Sequence, residues 1–278
     1  MTNPAHTPAL LADYADLTDP AARRRIEGDE FFVCEGPQAL DRLIASGHHI
    51  RSVLLADTKA DRVLTELTHP LHPTTPVLRV TRDEMRDICG FDLHRGVIAA
   101  ANRHPARSLD DLLAHSVARA AERGTPARLV VAEGLNDPEN LGAVARSARA
   151  FGIDALVVDP TCIDPYTRRT VRVSMGEILH LPHHRASAWP DTIGDLHAAG
   201  WETWALTPAR NGEPADNIWA LPIPDRLALV IGAEGPGLTA ATIAACTRAV
   251  QIPIANDVDS LNVAAAAAVA FAATAPRM

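Results

Sequence analysis

The chain has 278 residues, 47% hydrophobic and 22% charged, with a formal net charge of −8. That length favours two domains, the composition can supply a buried core, and the acidic balance excludes a broad electrostatic grip on nucleic acid while leaving room for a local one. The longest apolar run, Val263 to Ala273, is shorter than the ~20 residues that a bilayer span needs.

In chain order, MTNPAHTPALLADYADL lacks a basic region followed by an unbroken apolar segment, so no secretory signal is expected there and a cytoplasmic location is. Its first dozen residues read as loose. EFFVCE (30–35) is a candidate buried strand, GPQALDRLIASG a helix closed by Gly47, and IRSVLLA a second strand. THPLHPTTP (68–76) is a proline-punctuated loop. VLRV, TRDEMRDICG and HRGVIAAANR then predict strand, helix and strand. A small α/β unit therefore covers residues 1–107, with its flexible start and linker. Ser108 opens the next helix as N-cap and Gly124 finishes it.

Beyond that boundary, residues 108–278 alternate strand and helix: ARLVVAEGL, a helix from Asn140, DALVVD, a helix near 167–175, WETWALT, LALVIG, a helix from about 239, AVQIPI, and a last helix capped by Ser260. Apolar runs alternating with helices predict a mostly parallel sheet covered on both faces. In such sheets ligands gather at the carboxyl ends of strands. Three loops qualify: Glu133–Asn140, Gly232–Leu238 and Ile254–Ser260. Cys34, Cys89, Cys162 and Cys246 form no CxxC pair, and the HLPHH run (180–184) has no nearby cysteine or carboxylate partner, so no metal is expected. Lys59 is the only lysine; the remaining basic side chains are arginines, whose planar fork suits phosphate.

Taken alone, NDPENLGAVARSARAFG (136–152) is a helix whose apolar face is Leu141, Val144, Ala145, Ala148 and Phe151, with Asn140 capping free amides and Arg146 off the stripe. LVIGAEGPGL is a glycine-rich turn that matches neither GxGxxG nor GxxxxGK[ST]. IPIANDVDSLNVAAAAA runs from a strand through an acidic loop into a helix of small residues. In this order, the three stretches resemble the three motifs of the SpoU/TrmH family of RNA 2′-O-methyltransferases. RTVRVSMGEILHLP is similar to that family's segment between the first and second motifs. EFFVCEGPQALDRLIASG with HRGVIAAANR resembles, more loosely, the small RNA-binding domain that many members carry.

The resemblance implies a parallel sheet threaded into a C-terminal trefoil knot, an exception to unknotted topology. It also implies S-adenosylmethionine as cofactor, a homodimer, and ribosomal or transfer RNA as substrate, with no membrane or metal. Carried over by position, Asn140, Arg146, Glu234, Ser260 and Asn262 become the polar active-site residues. Ile231, Gly232, Glu234, Gly237, Leu238, Ile252, Ile254 and Leu261 become the cofactor site, bound largely through backbone groups. In the family, the arginine at position 146 is usually described as helping to remove the hydroxyl proton. Anchoring the neighbouring phosphate is the alternative role, because a guanidinium stays protonated. Two clusters, Arg23, Arg24 and Arg25, and Arg168, Arg169 and Arg172, are candidate RNA-facing patches. A catalytically weak RNA-binding module of the same fold and a nucleotide-dependent dehydrogenase are the rival readings; the second lacks its glycine fingerprint.

Overall fold

Residues 7–208, 215–255 and 259–276 are described in this computed structural model. Helices form at Thr7–Ala12 (α1), within the stretch expected to be loose, and at Pro20–Glu27 (α2), while residues 1–6 of that stretch lie outside the described residues. Asp19 caps α2 through the amides of Ala21 and Ala22, and Leu10 and Leu11 pack against the core. There follow β1 (Phe31–Glu35), α3 (Pro37–Ala45), β2 (Ile50–Ala56), α4 (Asp57–Glu66), β3 (Val77–Val80), α5 (Arg82–Cys89) and β4 (Val97–Asn102). The sheet runs β1-β4-β2-β3, with β4 antiparallel to both β1 and β2, and β3 parallel to β2. Helix α4 was not anticipated. It buries only Ala60 and Val63, too few positions to mark a helical period.

Next come α6 (Leu109–Arg123), β5 (Ala127–Glu133), α7 (Pro138–Ala150), β6 (Ala155–Val158), α8 (Arg168–Val173), β7 (His183–Arg185), α9 (Asp191–Ala198), β8 (Glu202–Leu206), β9 (Asp216–Asn217), β10 (Arg226–Gly232), α10 (Ala240–Ala245), β11 (Arg248–Gln251) and α11 (Val263–Ala273). Ser108 and Gly124 bound α6 as expected, the first accepting from Asp111 N and the second left-handed. Two compact units result. Met1–Pro105 is joined by Tyr166–Leu179 in one, and Ala106–Pro165 with His180–Met278 makes the other. No sequence signal announced the excursion of 166–179 into the first unit, where α8 packs against β1.

The second unit is built on an all-parallel seven-stranded sheet in the order β7-β6-β5-β10-β8-β11-β9. From β5 the chain steps outward to β6 and β7, then crosses to β8 on the other side, and β10 later inserts between β5 and β8. The order therefore reverses between β5 and β10, where an open α/β sheet leaves a crevice at the carboxyl ends. Glu133 and Gly232 face each other there. His183 and His184 lie in β7, the latter's Nδ1 donating to the Arg107 carbonyl at 2.8 Å. Among the described residues, no group of three metal-ligating side chains is placed to hold an ion, and no helix is long and apolar enough to cross a membrane.

Candidate functional site

The first motif folds in a way that frees Asn140. Pro138 is tolerated only in the first helical turn because it has no amide hydrogen, so α7 starts there and Asp137 caps it by accepting from Glu139 N at 2.8 Å. Asn140 is thus not the cap. It lies in the first turn of the helix, third residue in, and is buried (8% exposed). Its Nδ2 donates to Glu234 Oε2 at 3.0 Å.

A similar correction applies to the third motif. The N-cap of α11 is Asn262 rather than Ser260, its Oδ1 accepting from Ala264 N at 3.0 Å and Ala265 N at 3.3 Å. Those two bonds fix the orientation of the amide. Its Nδ2 must then face outward, where it donates to Asn140 Oδ1 at 3.1 Å and Glu234 Oε1 at 3.2 Å. One residue from each motif therefore closes a three-membered polar ring. Hydrogen bonds from Asn140 first, and from Asn262 second, hold the Glu234 carboxyl below its ordinary value and keep it ionised. Ser260 is exposed just outside this ring, and part of the loop before it, 256–258, lies outside the described residues.

Arg146 stands on the exposed side of α7, six residues and about 9 Å of rise beyond Asn140. It makes no hydrogen bond or ion pair with any described residue. Glu234 and Asn140 engage each other and Asn262 instead of its guanidinium. Phe151, expected on the apolar face of α7, is 37% exposed.

The glycine-rich loop explains its own composition. The chain folds back so that Gly237 N donates to Ala233 O at 3.0 Å, with an isolated bridge between these two residues. A Cβ on Gly232 would fall 2.7 Å from the Gly237 carbonyl oxygen and closer still to the Leu238 nitrogen. Gly232 is therefore demanded by the protein's own returning backbone rather than by approach of a ligand. Gly232→Ala should lower the melting temperature at a cost of about 1–3 kcal/mol or more, because the obstruction is main chain. Gly194→Ala, where an added Cβ meets nothing within 4 Å, should be neutral or slightly stabilising in the same thermal melt. Gly235 and Gly237 differ from Gly232. They adopt positive φ and leave the Cβ direction open, so their backbone is accessible.

Of the other cofactor candidates, the Ile231 side chain is buried in β10, Leu238 is half-buried against the core, and Ile252 is half-buried. Ile254 and Leu261 are each 39% exposed, although both are large and apolar.

In the first unit, the candidate RNA-facing arginines separate. Arg23 is buried, paired with Glu27 at 2.8 Å and bonded to the Ala15 carbonyl. This removes it from any surface patch, since its guanidinium completes the core around α2. Arg24 pairs with Asp29, and Arg168 pairs with Glu35 while lying over the Phe91 ring. Arg25, Arg169 and Arg172 are exposed.

Glu133 was not singled out as a site residue. It is 6% exposed and accepts from Trp189 Nε1, from both the amide and the hydroxyl of Thr239, and from the Thr242 hydroxyl. A carboxylate closing the apolar run LVVA was the available signal.

The model of the SpoU rRNA Methylase family matches residues 127–272. The chain is 39% identical to a tRNA/rRNA methyltransferase of Mycobacterium tuberculosis over 94% of its own length and 86% of that protein's. It is 31% identical to the 23S rRNA (guanosine-2′-O-)-methyltransferase RlmB of Vibrio cholerae, over 82% of this chain and 90% of RlmB. The crystal structure of the SpoU methyltransferase AviRb from Streptomyces viridochromogenes with AdoMet has a like fold, with TM-score 0.73 and 22% identity, spanning 95% of this chain and 96% of that one. With the three motifs joined in one polar ring at the sheet's switch point and the family model matching residues 127–272, more than half of the chain, the chain belongs to the SpoU rRNA methylase family.

Proposed function

We infer that this chain transfers the methyl group of S-adenosylmethionine to the 2′-hydroxyl of a ribose in ribosomal or transfer RNA. The observation that carries the reading is the ring of Asn140, Glu234 and Asn262, assembled from three separate loops where the strand order reverses. RlmB, named for guanosine 2′-O-methylation, supports ribose as the target.

The residues present fit the cofactor. The exposed main chain of Gly235 offers polar groups to an adenosine, and Ile254 and Leu261 hold apolar surface out in solvent that an adenine ring would cover. Bound there, S-adenosylmethionine supplies an electrophilic methyl group on a sulfonium sulfur. The protein's part is positioning, which can contribute as much as roughly 7–11 kcal/mol. Arg146, exposed and without a described partner, is suited to grip the phosphate beside the target ribose and to stabilise negative charge developing on its hydroxyl oxygen. Ser260 and the outward side of Asn262 line the substrate side.

The first unit binds the RNA, with Arg25, Arg169 and Arg172 as its exposed cations. The protein works in the cytoplasm as a homodimer. Helix α11 is apolar on every side, yet Ala265 and Ala272 are exposed, as are Leu261 before it and Phe151 at the end of α7, on which α11 packs. A helix apolar all round is normally buried, and a second copy of the chain would bury this one. The knot belongs to the same reading.

Incubating the protein with methyl-labelled S-adenosylmethionine and separate pools of ribosomal and transfer RNA, followed by nucleoside mass spectrometry, tests the activity. One 2′-O-methylated nucleoside is expected. A methyl group on a base, or no transfer to either pool, would refute it.

A further inference from the structure

Glu133 ends β5 directly opposite Gly232, the residue from which the glycine-rich loop departs. The loop returns at Thr239, the N-cap of α10. There Glu133 takes hold of it, accepting from the Thr239 amide at 2.9 Å on Oε2 and from the Thr239 hydroxyl at 2.9 Å on Oε1. Strand pairing beside Glu133 fixes the loop's entry, and the Glu133 carboxylate fixes its exit. Between those points Gly235 and Gly237 give the chain little stiffness of its own. We propose that Glu133 is a positioning residue for S-adenosylmethionine, acting as the clasp that sets the conformation of the 232–238 loop. The proposal rests on the assignment of that loop to the cofactor.

The clasp requires a carboxylate. Oε1 receives the Trp189 indole N–H at 2.8 Å, a donor shared with Thr242 Oγ1 at 2.9 Å, and Oε2 receives the Thr239 amide N–H. Neither donor can reverse its polarity, whereas the hydroxyls of Thr239 and Thr242, also bonded to Oε1, can rotate to accept. A glutamine of the same size has a single acceptor oxygen, so its NH2 must face one of the two fixed donors. If Trp189 is replaced by phenylalanine, that conflict disappears. The amide oxygen can then serve Thr239 N while the NH2 donates to the threonine hydroxyls.

The test uses the full chain. Glu133→Gln should weaken S-adenosylmethionine binding by about tenfold or more in calorimetry, as an unmatched buried donor does. The KM for cofactor should rise with it, while kcat at saturating cofactor and the KM for RNA stay within a few fold. Glu133→Gln/Trp189→Phe should bind the cofactor within a few fold of Trp189→Phe alone. A purely structural role would lower the melting temperature without selectively raising the KM for cofactor. Wild-type affinity in folded Glu133→Gln, an equal loss in the single and double variants, or a fall in kcat at unchanged affinity would each overturn the proposal. If Glu133→Gln does not fold, the double variant decides against Trp189→Phe, and weak binding by it overturns the clasp. Ile254→Asp separates the two levels. It should abolish cofactor binding whatever Glu133 does, and normal binding by it would instead refute the cofactor site to which the loop is assigned.

Discussion

Methyl transfer is expected to vanish when the target nucleotide is replaced by its 2′-deoxy analogue with the base unchanged. The 2′-hydroxyl is the nucleophile in this reaction, so its removal deletes the reacting atom rather than a contact. RNA binding should weaken only modestly, because most contacts with an RNA lie on backbone and shape away from a single hydroxyl. Side-by-side measurement of methyl incorporation and RNA affinity on the two substrates checks this. Efficient methylation of the deoxy substrate would show that a base is the acceptor, and the fold alone could not object, since one fold hosts different chemistries.

Arg146→Ala should reduce turnover by roughly 10²–10³-fold, the scale seen when one group that stabilises developing charge is removed. Cofactor affinity should stay within a few fold, because Arg146 projects from the exposed side of α7 and belongs to neither the glycine-rich loop nor the apolar pair Ile254 and Leu261. Loss of rate without loss of binding is the pattern of an interaction made mainly in the transition state. Stability should hardly change, since the side chain has no described partner to lose. Arg146→Lys should fail almost as badly, because an ammonium keeps the charge but not the planar fork that grips a phosphate through two bonds. Single-turnover methylation at a near-normal rate in Arg146→Ala would remove this residue from the chemistry.

What the sequence by itself determined was governed by short range. Apolar runs such as LVVA and LALVI announced β5 and β10, because a strand buried on both faces reads as a near-continuous apolar run. Ser108 and Gly124 marked the ends of α6, because a side-chain oxygen and a left-handed glycine satisfy helix ends from within a few residues. Pro138 also contained the true start of α7, and with it the capping role of Asp137, although Asn140 is an equally good capping residue by type. The motif residues were legible by resemblance, which identified the positions without saying what each one touches.

Only the tertiary structure decided the partners. Ser260 and Asn262 are both capping types, and Asn262 takes α11 because its amide can also reach Asn140 and Glu234, 122 and 28 residues away in sequence. Gly232 is indispensable because of main chain that returns five residues later, and not because of a ligand. Arg23 looked like its neighbours Arg24 and Arg25, yet the orientation of α2 buries it against Glu27. Glu133 read as one acid at the end of a strand until α10 and Trp189 brought four donors to it from 56 to 109 residues further along the chain. Propensity and capping act over a turn or two, whereas a polar side chain's partner is chosen by whichever donor or acceptor the packed chain delivers to it.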